Sequence, residues 1–274
     1  MKTVLFIILA IIHASIFSQE NLKGIVYYGH QQSFGIGAPI GVDYTAELTF
    51  NSNSTSYTFA KDSLEGGHIN QMKYVKTENK TNFIIHKNTT KEGYTYNINR
   101  RENIMRTRDI GFNYVKDTIP NINWKILDET KKIGKLDCTK ATCSFKGRDY
   151  TAWFSTSIPL PYGPWKLQGL PGLILEAYDT DKEIYFYFKS IEYPSKKDLK
   201  ITIPNPETNM DMERNRPTKE REWITSEDFK KEMIKRHRIG TKMGRMFNEQ
   251  APIVRSGNST NPMRNVYIEI FDEE

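Results

Sequence analysis

The sequence predicts an α+β protein that is predominantly antiparallel β: one bent sheet or half-barrel, completed by a C-terminal helix. Three observations carry this. Short runs with period-2 alternation follow one another with only Gly, Pro, Asn or Ser turns between them. No helical pattern separates them, which favours hairpin-connected strands over parallel crossovers. A helical stripe of apolar residues appears only after position 224.

The pattern is clearest around Gly163-Pro164-Trp165-Lys166-Leu167-Gln168-Gly169-Leu170-Pro171-Gly172-Leu173-Ile174-Leu175-Glu176. Pro164 fixes one turn, and if the chain is extended beyond it Trp165 and Leu167 point to the same side. Gly169 and Gly172, with Pro171 between them, form a second break where the backbone turns or is closely approached. Leu173, Ile174 and Leu175 then read as a strand covered on both faces. After a turn at Thr180-Asp181-Lys182, residues 184–188 alternate strictly, with Ile184, Phe186 and Phe188 on one face and Tyr185 and Tyr187 on the other. The result is a hairpin rich in aromatic residues.

Upstream, strands are expected at 22–28, 43–51, 56–60, 72–75, 82–86 and 94–98, with a polar stretch near 100–109 whose structure stays open. Strands at 124–127, 136–145 and 149–155 form a meander, turned at Gly147-Arg148. Residues 35–41 hold three glycines and a proline but lack the Gly-Lys-Ser/Thr ending of a phosphate loop. Downstream, a short strand is expected at 199–203 and a mobile loop at 205–222. Thr225 or Ser226 caps a helix whose stripe is Phe229, Met233, Met243 and Phe247, and 266–271 closes the sheet as a last strand.

Composition bounds the function. Lys2 followed by nine apolar residues, 4–12, and small Ser18 reads as a signal peptide over 1–18, too short to span a bilayer. The expectation is therefore an exported protein, periplasmic or extracellular, with a single domain over 19–274 and no transmembrane segment. No cysteine follows the leader to take a lipid. The formal charge of +6 is spread along the chain, and with export it gives no reason to expect nucleic acid. The sequons at Asn53, Asn79, Asn88 and Asn258 are common by chance in an Asn- and Thr-rich chain.

The hexapeptide Gly169-Leu170-Pro171-Gly172-Leu173-Ile174 resembles the signature of the GLPGLI family of exported Gram-negative bacterial proteins. Similarity extends upstream through Trp124, Cys138, Gly147-Arg148, Trp153-Phe154 and Gly163-Pro164-Trp165-Lys166. Cys143 departs from the pattern. The resemblance implies export and a structural role for Gly163, Pro164, Trp165 and the hexapeptide. It implies no reaction.

Candidate chemistry is sparse. Cys138 and Cys143 form a candidate disulfide favoured by an oxidising compartment. On a regular strand, however, they stand about 17 Å apart on opposite faces, so a bond needs a turn at 139–142. His30, His68, His86 and His237 are scattered and show no metal-binding spacing, so neither metal nor cofactor is expected. Glu176 and Asp179 alternate to opposite faces, which weakens a glycosidase pair. Trp153, Trp165, Tyr178, Tyr185 and Tyr187 are the better hint: gathered on one face, they would bind a ligand by stacking. The leading expectation is a non-catalytic envelope protein that binds a small ligand or another envelope protein. The alternatives are a hydrolase of envelope peptide or glycan and a carrier of lipid or lipoprotein groups.

Overall fold

The computed structural model describes residues 23–76, 82–206, 222–247 and 267–271. Its strands are β1 (Gly24–Gln32), β2 (Val42–Phe50), β3 (Ser54–Phe59), β4 (Asn70–Lys76), β5 (Asn82–Asn88), β6 (Tyr94–Asn99), β7 (Ile104–Asp109), β8 (Asn113–Thr118), β9 (Lys125–Ile133), β10 (Leu136–Phe145), β11 (Arg148–Ser155), β12 (Leu173–Asp179), β13 (Ile184–Glu192) and the short β14 (Trp223–Ile224). Among the described residues one α-helix, α1 (Ser226–Phe247), follows.

Twelve strands form one open sheet in the order β14-β8-β7-β6-β3-β2-β1-β13-β12-β11-β10-β9, and β4–β5 form a separate hairpin. The sheet is two meanders joined where β1 pairs antiparallel with β13, Gly29 opposite Tyr187. Every pairing in it is antiparallel except β14 with β8.

Residues 158–172 leave the end of β11 and run across the inner face before β12 begins. We call this segment the plug. Trp165 is its anchor. Its ring centroid lies 6.5 Å from that of Tyr96 on β6, 5.8 Å from Phe145 on β10 and 6.2 Å from Tyr150 on β11. In a flat sheet β6 and β11 would stand about 29 Å apart, six strand spacings of ~4.8 Å. One indole touching both means the sheet bends around the plug. Hydrogen bonds tie the plug on every side. Ile174 N on β12 donates to the Tyr162 carbonyl at 2.9 Å, and Leu173 N donates to the Ile158 carbonyl at 3.0 Å. Trp124 Nε1 donates to the Gln168 carbonyl at 2.9 Å, and Arg100 Nη2 donates to the Pro161 carbonyl and to Gln168 Oε1, at 2.9 and 2.7 Å.

The motif's turns are as the sequence suggests, but its middle is not extended. Leu167 N donates back to the Pro164 carbonyl at 3.0 Å, and Trp165 takes a left-handed φ of 55°. The chain therefore coils tightly, turning the indole inwards.

The helix starts as expected. Thr225 Oγ1 accepts from Asp228 N at 3.1 Å, capping the first turn. Phe229 and Met233 pack with Val115 and Phe271 in a small second core. The side chains of Met243 and Phe247 lie outside the described residues, as does most of 205–222. Two expected strands do not form. Residues 199–203 pair with no strand, and 267–271 lie irregularly against the inner face, where Ile270 N bonds the Lys146 carbonyl at 3.0 Å. Strand β7 lies in the polar stretch left open in the sequence, and β8, for which the sequence predicts no strand, follows it.

At Gly172 a Cβ would stand 2.2 Å from the Ser155 carbonyl oxygen, which is backbone and cannot step aside. Gly66 has nothing within 4 Å and only its φ of 77° to object. Gly172→Ala is expected to lower stability by about 1–3 kcal/mol, as overpacking does, and Gly66→Ala by about 1 kcal/mol from backbone handedness alone. Urea unfolding midpoints of the two variants check the order.

Candidate functional site

Alternation on β12 and β13 sends Ala177, Ile184 and Phe186 into the core and leaves Tyr178, Tyr185 and Tyr187 half-buried on the outer face. Tyr178 and Tyr185 are cross-strand partners, their ring centroids 5.7 Å apart, and Tyr185 and Tyr187 follow at 5.5 Å. The three rings form a ladder over neighbouring strands. Tyr187 lies over Gly29, where a Cβ would come within 2.0 Å of its ring, so the glycine makes room for it. Its hydroxyl donates to Asp43 Oδ2 on β2 at 2.5 Å. Burial and the Asp43 carboxylate together push that phenol well above its usual range. Lys182 lies 5.4 Å from the Tyr178 ring and Lys189 5.8 Å from the Tyr187 ring. A fixed aromatic strip with charged ends results.

Of the five aromatic residues singled out in the sequence, these three tyrosines come together. Trp153 shares their face, opposite Glu176 in the register, but is only 8% exposed. Lys131 Nζ roofs its ring at 4.4 Å and pairs with Glu176 Oε1 at 2.8 Å. Trp165 does not belong to the strip: its left-handed backbone places it inside the plug. Gly29, Asp43 and Lys131 had no sequence signal, because their contribution depends on strands that are distant in the chain.

The inner face holds two buried charge networks. Arg148 Nη1 binds Asp179 Oδ2 at 2.6 Å and Glu183 Oε2 at 2.7 Å. Its other nitrogens bond the carbonyls of Ile268 and Tyr267, each at 2.8 Å. Glu176 and Asp179 therefore do face opposite sides, each with its own cation. In the second network Lys166 meets Glu269, and Asp109 Oδ2 at 3.0 Å, with Tyr96, Trp165 and Phe229 rings around its amine. Burial opposes its charge, yet the two carboxylates outweigh burial and hold the ammonium form above its ordinary range.

His30 is buried on β1, between the Tyr57 hydroxyl, 3.0 Å from Nδ1, and Gln32 Nε2, 3.1 Å from Nε2. Burial lowers its pKa to about 3, so it is neutral. Among the described residues no group of three or more His, Cys, Asp and Glu is placed to hold a metal ion.

Cys138 and Cys143 are free and buried. The sequence leaves a Cys138–Cys143 disulfide open, and here the two thiols are unbonded. The register of β10 with β11 runs unbroken from Thr139 to Phe145, so the chain between them stays extended and the thiols face opposite sides. Burial pushes Cys138 up to about 11 and Cys143 up to about 12, too high for a thiolate nucleophile at neutral pH.

Residues 145–176, from the end of β10 through the plug to the middle of β12, match the model of a family described as "Protein of unknown function (Porph_ging)". No curated protein matches the chain. Two solved structures of PNGF-II, in space groups C2 and P21, are 16% identical to it with a TM-score of 0.44. They cover 65% of this chain, which in turn covers 28% and 29% of theirs.

Two predictions follow from the buried groups. A thiol reagent should label neither cysteine in the native protein and both in denaturant, without prior reduction; labelling of neither in denaturant would mean a disulfide. For His30, the unfolded chain takes up the proton below its pKa of 6.5, whereas the folded chain resists down to about 3. Stability from this group is complete above pH 6.5 and is lost as pH falls towards 3. Between pH 7 and pH 5 the loss should be roughly 2 kcal/mol. It should be absent from the same comparison made on His30→Gln.

Proposed function

We propose that this is a non-catalytic, exported envelope protein that binds a small ligand or an envelope partner on the outer tyrosine ladder. The observation that carries the reading is the placement of Tyr178, Tyr185 and Tyr187: three rings in series, half-exposed and set on strands. Rings on a rigid sheet lose little conformational freedom on binding, so their stacking energy goes into affinity. The charged groups at the ends, Lys182, Lys189 and Asp43, supply the polar contacts that orient a ligand with flat, partly apolar faces, such as a sugar or a peptide. The leader-like pattern at 1–18 and the resemblance of 163–176 to the GLPGLI proteins support the export part of the reading.

Tyr185 is the clean probe, because it neither covers a glycine nor hydrogen-bonds Asp43. Native mass spectrometry of protein from its own envelope fraction would identify the ligand, and titration of that ligand would follow. Tyr185→Ala should weaken binding about three- to tenfold, the equivalent of one aromatic contact of ~0.5–1.5 kcal/mol, with little change in Tm. Full-strength binding by Tyr185→Ala would place the surface elsewhere.

A further inference from the structure

The second buried network has the composition and arrangement of a reaction centre as well as of an ion pair. We propose that Lys166 and Asp109 condense to an isopeptide bond within the chain, with Glu269 as the proton carrier. This inference is independent of the outer-face reading.

The geometry points to Asp109 as the acceptor. Its Oδ1 accepts from Tyr96 Oη at 2.9 Å and from Ile110 N at 2.8 Å. That pair of fixed donors would stabilise negative charge on this oxygen as an amine adds to the carboxyl carbon. Its Oδ2 faces Lys166 Nζ at 3.0 Å, an ionic contact that lacks hydrogen-bond alignment. Glu269 touches the same nitrogen and is itself held by Lys146 Nζ, 3.4 Å from its other oxygen. Asp109, Lys166 and Glu269 are each less than a tenth exposed. The aromatic rings around the amine keep bulk water from competing.

The step balances. The two carboxylates hold the proton on Lys166 in the ion pair, so its transfer is the barrier to be crossed: Glu269 takes it from the ammonium and passes it to Asp109 Oδ2. The freed amine attacks Cγ of Asp109, and the bond between Cγ and Oδ2 breaks. Nζ begins with three hydrogens and keeps one, and the other two leave with Oδ2 as water. No oxidant or co-reactant enters, and Glu269 ends as it began. Two forces favour the product. Fixed reactive groups have effective concentrations on the order of 10⁵–10⁸ M. Condensation also removes one buried positive and one buried negative charge, whose desolvation the folded state otherwise bears.

The test is the intact mass of the purified full chain under denaturing conditions. The expected result is a mass one water below the sequence value, with a branched peptide joining Lys166 to Asp109 after protease digestion. Lys166→Arg and Glu269→Gln should each restore the full mass. A wild-type mass with no water lost overturns the proposal, and this reading does not depend on any variant folding. Water loss that persists in Lys166→Arg also overturns it, because the dehydration then lies elsewhere. A branch to Glu269 in place of Asp109 overturns the assignment of roles.

Discussion

An open sheet cannot bury its inner face against itself, and in this protein the plug at 158–172 does it instead. Trp165, Leu167 and Leu170, all nearly inaccessible, supply the apolar volume around which the strands bend. The left-handed backbone at Trp165 costs about 1–2 kcal/mol. Burial of a large aromatic side chain contributes roughly 1.5–3 kcal/mol, enough to offset it. Gly163 and Gly172 belong to the same constraint: side chains there would meet Ile174 and Ser155. The motif is a set of spacings that lets a segment of chain lie flat against a sheet it has just left.

The two buried cations extend this arrangement. Arg148 sits at the β10–β11 turn and Lys166 in the plug, and both bind residues of 267–271. The inner face is thus held by apolar contact at its centre and by charge at its margin. Breaking a buried pair is far more costly than losing an exposed one, because the abandoned charge stays out of water. The outer face follows different physics. There the tyrosines remain half in solvent, with Lys182, Lys189 and the Lys131–Glu176 pair around them.

Much of the fold was legible where alternation was strict. Strand β10 agrees with its expected bounds, and the β12–β13 hairpin and the Thr225 cap appear where their patterns put them. Strands β7 and β8 were not legible, because Arg106, Arg108, Lys116 and Asp117 interrupt the apolar period; their hydrogen bonds come from neighbours in the sheet. Residues 199–203 alternate correctly but have no strand to pair with, and 267–271 spend their backbone groups on side chains and a turn. At the site, three of five aromatic residues could be placed from parity alone. Trp165 could not, since parity holds only while the backbone is extended. Neither charge network could be read, because each cation's partners stand between 31 and 120 residues from it in the chain.

The position of 267–271 sets the order in which the molecule can be finished. Every described strand of the sheet precedes this segment in the chain, yet Arg148 and Lys166 take part of their neutralisation from it. During synthesis the sheet can pair and the plug can enter, but both cations wait for residues made more than a hundred positions later. A chain interrupted before 267 would carry a nearly complete β sheet with two positive charges under-neutralised at the inner margin. Residues 267–271 thus act as a late check on a sheet whose pairing is already laid down.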